Sequence, residues 1–191
     1  MTKLMMAAGA AALLSACAMM PAGMGGMGAP MDPRMGAPMG GMAMPTRAAA
    51  YSQMAHSSDL FEIQSSQTAL QVSRNPGVTA FAQQMVADHT RMMNEMMAMP
   101  GMNMSMHSMG MAPRHARMLQ MLRSAPSAQF DAMYVRDQVM AHQEALAMHQ
   151  TYAARGDNPA LRAMAARAVP MIQMHLQRAQ QLQAGMGAMS M

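Results

Sequence analysis

From about residue 47 onward, apolar and small residues recur at alternating steps of four and three. One stripe reads Tyr51, Ala55, Ser58, Glu62, Ser65, Ala69, Val72. A second reads Val78, Phe81, Met85, His89, Met92, Met96. A third has Val135, Val139, His142, Leu146 and His149, and a fourth Leu161, Ala165, Ala168, Ile172, His175, Ala179 and Leu182. That spacing keeps each set on one face of an α-helix. The pattern predicts long helices over 47–74, 76–99, 127–155 and 159–184, with a short helix over 114–124. On the first of these, Leu60, Ile63 and Leu70 define a competing inward face.

The ends of the stripes carry their own signals. Asn75-Pro76 and Asp157-Asn158-Pro159 each offer a cap followed by proline at the first helical position. Pro100-Gly101 ends the second helix, Gly156 ends the third, and Pro170 should kink the fourth. Four long helices with mostly short connections make an all-α, antiparallel four-helix bundle. The expected organisation is a signal peptide over 1–16, a disordered tether over 17–46, the bundle over 47–184 and a disordered tail over 185–191.

The tether is expected because residues 18–46 are almost entirely Met, Gly, Pro and Ala, a mixture that holds neither helix nor strand. The residues before it have the three-part layout of a secretory signal. Lys3 supplies the charge, Leu4 to Leu14 the apolar run, and Leu14-Ser15-Ala16-Cys17 the small-residue close. The run is too short for a membrane span, which needs about 20 residues. The motif resembles the lipobox of bacterial lipoproteins, which implies lipidation at Cys17. The competing reading is an ordinary cleaved signal with a chance cysteine. By resemblance to enterobacterial lipoproteins, Ala18 in place of Asp implies the outer membrane, on its periplasmic face. The partner so implied is the membrane itself.

Charge narrows the partners. Lys3 is the only lysine, so the mature chain sets twelve arginines against nine acids. The arginines are scattered, without a basic stripe or aromatic platforms, which argues against nucleic acid. There is no tryptophan, so the core must come from Ala, Leu, Val, Ile and Met. Methionine is the outlier, at 35 residues, with nine between Ala18 and Thr46 and twelve between Met92 and Met121. Thioethers are soft ligands that select Cu(I). Met102, Met104, Met106, His107 and Met109 form the densest run, and they are the candidate copper ligands. Low-complexity drift, core filling and oxidant scavenging compete with that reading.

Three histidines, His89, His142 and His175, sit near the middle of their stripes, and Glu62 sits near the middle of the first. In an antiparallel bundle these four meet at similar depth. One carboxylate and three imidazoles form a mononuclear set for zinc, iron or copper. A metal-free hydrogen-bonded network is the alternative. Di-iron chemistry is disfavoured, because Val86, Val139 and Ile172 stand where Glu-x-x-His motifs need carboxylates. No nucleophile elbow or phosphate-cradling glycine pattern is present.

Several segments resemble the bacterial family called domain of unknown function 4142. They are Ser58 to Ser66, Phe81 to His89, Phe130 to Val135 followed by His142, and Pro170 with His175-Leu176. The resemblance spans residues 51–183. It implies a ferritin-like bundle and the same four central polar residues, and it brings no activity. The expectation is a periplasm-facing lipoprotein, not an enzyme, that binds or buffers metal, with copper foremost. The alternatives are a metal-free envelope protein acting through a partner and, last, a mononuclear metalloenzyme.

Overall fold

The computed structural model describes residues 44–100 and 110–188. Among the described residues five helices form: α1 (Ala48–Val72), α2 (Pro76–Met97), α3 (Pro113–Arg123), α4 (Ser127–Arg155) and α5 (Pro159–Ala188). The four long ones pack as an antiparallel bundle. α1 lies against α2 and α4, and α5 against α4 and α2. The short α3 covers the groove between α1 and α4. The all-α bundle follows the sequence pattern. The signal peptide, Cys17 and most of the tether lie outside the described residues, as do Met102, Met104, Met106, His107 and Met109.

The caps form as the sequence predicts. Asn75 Oδ1 accepts from the backbone N–H of Gly77 at 2.9 Å, and Asn158 Oδ1 from those of Ala160 and Leu161 at 3.0 and 3.1 Å. Gly156 ends α4 at φ −63°, so handedness does not require glycine there. Space does: a Cβ would stand 2.6 Å from the Tyr152 ring and 2.7 Å from the Tyr152 carbonyl oxygen. α5 runs unbroken through Pro170, which is exposed, as is Ala166, the carbonyl partner it deprives.

Both predicted edges of the bundle move outward. The tether was expected to run through Thr46, yet Met44 packs on the core and Pro45 is buried. The Thr46 carbonyl accepts from Asp157 N–H at 3.0 Å, and Asp157 Oδ1 accepts from Ala48 N–H at 2.8 Å. α5 was expected to dissolve after Ala184, yet it continues to Ala188 through Gly185 and Gly187. Leu182 and Met186 pack on the core there, and that burial offsets the glycines' poor propensity.

The core is layered along the axis. One end joins Tyr51, Ala55, Met96, Met148, Tyr152, Leu161 and Ala165. The other joins Val78, Phe81, Met85, Leu122, Phe130, Tyr134 and Ala179. Between the two apolar plugs lies a buried polar layer of Asp59, Glu62, Ser65, His89, Gln138, His142 and His175. Burying this many polar groups is costly unless they are paired or bind something.

Candidate metal centre

α2, α4 and α5 each bring one histidine into the polar layer. His89, His142 and His175 are 2 %, 0 % and 0 % exposed. Their ring centroids stand 5.5 Å apart in every pairing, so the imidazoles form an equilateral triangle. One ring nitrogen from each lies within 4.8 Å of the other two. An ion at the centre of such a triangle is within reach of all three with small side-chain adjustments.

The outer nitrogens are all engaged. His89 Nδ1 pairs with Asp59 Oδ1 at 2.9 Å, and His175 Nε2 with Asp88 Oδ2 at 2.9 Å. His142 Nδ1 donates to the Gln138 carbonyl at 2.8 Å, inside its own helix. The other nitrogens, His89 Nε2, His142 Nε2 and His175 Nδ1, are buried and have no hydrogen-bond partner among the described residues. Ligating histidines bind this way, with one nitrogen anchored to a carboxylate or carbonyl and the other left for the metal.

Glu62 does not join the triangle. Its Oε1 stands 3.6 Å from His142 Nδ1, the nitrogen already committed to Gln138. The expected four-residue ligand set therefore becomes three imidazoles with a carboxylate beside them. The reason is register. Glu62 is buried on α1 and meets His142 at Nδ1, whereas the ring nitrogens without partners are His89 Nε2, His142 Nε2 and His175 Nδ1.

Burial governs the protonation of this layer. It pushes Glu62 up to about 8, against the opposing pull of His89. It drives His142 well below the ordinary histidine range, helped by the charge of His89 and His175. His175 falls to about 4 for the same leading reason, with His89 adding to it. At His89 burial also lowers, but the Asp59 hydrogen bond and charge, with Glu62 and Asp88, outweigh it and the value rises. Burial raises the Asp59 carboxyl as well, so the Asp59–His89 pair holds its proton between the two groups. The other two rings stay neutral, the state in which imidazole ligates. Sequence reasoning missed Asp59 and Asp88. Asp59 lies three positions before Glu62 and Asp88 one before His89, and that proximity to the stripe was the available signal.

Residues 35–182 match the domain of unknown function DUF4142. The chain belongs to that family. In this DUF4142 chain the match includes all three histidines, both outer aspartates and Glu62. Among solved structures, the crystal structure of a DUF305 fragment from Deinococcus radiodurans is similar at a TM-score of 0.59 and 19 % identity. The likeness covers 71 % of this chain and 93 % of that one. It shows a shared fold. No curated protein matches the chain.

Proposed function

We propose that this DUF4142 protein holds one late first-row transition-metal ion on His89, His142 and His175. One observation carries the reading: three sealed imidazoles that bring a ring nitrogen each within 4.8 Å of the other two, each with one nitrogen anchored and the other without a hydrogen-bond partner among the described residues. A metal-free network would be expected to satisfy those nitrogens. Imidazole suits zinc, copper, iron and nickel, and the surrounding abundance of thioethers makes copper the best match. Asp59 and Asp88 set carboxylates behind two of the three rings. The centre is sealed, and two cavities among the described residues are lined by other residues, which fits holding an ion better than turning over a substrate.

The address belongs to the same proposal. The Lys3 start, the apolar run and the Leu14-Ser15-Ala16-Cys17 close support a lipid anchor at Cys17 and a periplasmic face on the outer membrane. The methionine run from Met102 to Met109 would then serve as a soft collecting segment for copper.

The test is metal analysis of protein purified without chelator, followed by Cu(I), Cu(II) and Zn(II) titrations against a competing chelator. One equivalent bound by the wild type and lost in His142→Ala supports the reading. No binding by the wild type overturns it and leaves an envelope protein acting through a partner. Fractionation of Cys17→Ser checks the anchor, with release from the membrane as the expected result.

A further inference from the structure

The three histidines are sealed, so an ion that binds them must pass between helices. Their anchors differ in exposure. The Asp59 side chain is 3 % exposed and that of Asp88 is 18 % exposed. Gln138 is fully buried. Only the anchor of His175 therefore reaches solvent among these three. It does so on the seam between α2 and α5, which is more thinly packed than the α4–α5 and α1–α2 seams. The α1 side is closed by Phe61 and covered by α3.

Asp88 is shared at that seam. Its Oδ2 holds His175 Nε2 at 2.9 Å, and its Oδ1 holds Arg91 Nη2 at 2.9 Å. Arg91 is 63 % exposed, and the same Nη2 also donates to Met171 Sδ at 3.4 Å. Arg91 and Met171 in turn line a cavity of about 230 Å³ with Met92, Glu95, Met164 and Arg167. Met92 follows His89 by one helical turn, and Met171 precedes His175 by one. A solvent-facing cavity walled by three thioethers is thus joined to a ligand histidine through one carboxylate.

We propose that this seam is the port by which a late first-row transition-metal cation reaches the centre. Asp88 is its receiving carboxylate, and Arg91 is the side chain that keeps the port closed. The proposal rests on the metal-holding function above. Arg91 and an arriving cation compete for the same oxygen, so exchange leaves Asp88 compensated throughout. The exposed Arg91–Asp88 pair is weak enough to open readily. The thioethers of Met92, Met164 and Met171 add soft, neutral donors that hold a cation without trapping it.

Stopped-flow uptake of Co(II) by the full chain tests this, read by its ligand-field absorption, with chelator-driven release as the reverse step. In Arg91→Gln both uptake and release should speed up by roughly threefold, the strength of the surface pair removed, at unchanged affinity. Asp88→Asn should slow uptake. Arg117→Gln, an exposed change on α3, which packs on α1 and α4, should leave both rates alone. A wild-type spectrum in Arg91→Gln with unaltered rates overturns the port and leaves the centre standing. Faster release with unaltered uptake also overturns it, since Arg91 would then act only by steadying Asp88. No Co(II) spectrum in the wild type overturns the metal-holding function and the port together.

Discussion

Asp59 Oδ1 meets His89 Nδ1 at 2.9 Å with both side chains almost sealed from water. A buried carboxylate so placed fixes the ring's tautomer and leaves its other nitrogen without a hydrogen-bond partner among the described residues. Asp59→Asn keeps the shape and removes the charge. It should weaken metal binding by about 10- to 100-fold, the usual cost of losing an outer partner. Competitive titration beside wild type reads this directly, and equal affinities would show that His89 needs no anionic anchor.

Glu62 makes the opposite case. Both its carboxylate oxygens are buried and lack a close hydrogen-bond partner among the described residues, with His142 Nδ1 at 3.6 Å and the Gln138 side chain beside it. Glu62→Leu should stabilise the metal-free protein by about 1–3 kcal/mol, the cost of such an unsatisfied group. The same change should weaken binding of a divalent ion above about pH 8, where the Glu62 carboxylate is ionised, and change it little at pH 6. Urea melts of the metal-free protein and a titration measure the two effects separately.

His149 gives the apoprotein a dependence on acid. Its Nδ1 pairs with the Tyr51 hydroxyl at 2.9 Å. Burial, with a smaller push from His89, brings it down to about 4 from 6.5. The folded value is depressed, so the unfolded chain takes up the proton first. Its contribution is complete above about 6.5 and fades as pH falls towards 4. At pH 5 the loss is on the order of 2 kcal/mol. Urea midpoints at pH 7 and pH 5 should fall less in His149→Gln than in wild type, and parallel falls would assign the acid sensitivity to other groups.

Gly156 offers a steric test. Its missing Cβ leaves room for the Tyr152 ring, which stacks on Tyr51 with centroids 3.9 Å apart. Gly156→Ala must push the ring or the Tyr152 carbonyl aside, an overpacking that costs about 1–3 kcal/mol. A thermal melt gives the number. An unchanged melting temperature would mean that the α4–α5 turn relaxes freely.

Ser57 holds α3 in place. Its Oγ accepts the Ala112 backbone N–H at 2.8 Å and pairs with His115 Nδ1 at 2.8 Å. Ser57→Ala removes both and leaves the α3 start without its tie to α1. Amide exchange should quicken in residues 113–123 with little change in α1. Uniform quickening would instead show that α3 opens only with the whole bundle.

The helices were legible because their stripes are strongly periodic and their ends carry Asn-Pro caps. All six positions named on α2 are buried, and Glu62 and the three histidines do lie in one layer. α1 was harder to read. Its favoured stripe is buried from Tyr51 to Ala69, yet Ile63 on the competing face is buried too, and Phe61 is sealed by Leu119 of α3. A helix covered on several sides has no single inward face, so periodicity blurs. The end of α5 was missed because packing of Leu182 and Met186 overrides glycine propensity, and propensity is all that a sequence displays locally. Which edge of each imidazole is free was not legible at all. That depends on anchors brought from other helices.

His89, His142 and His175 are spread over 87 positions of the chain, and the last arrives only on α5. A chain still emerging, or one threaded through a membrane in extended form, owns none of this geometry. The centre comes into being at the moment the final helix docks. On the function proposed above, loading would record completed folding, because a chain that has not closed its bundle offers a passing ion only scattered side chains.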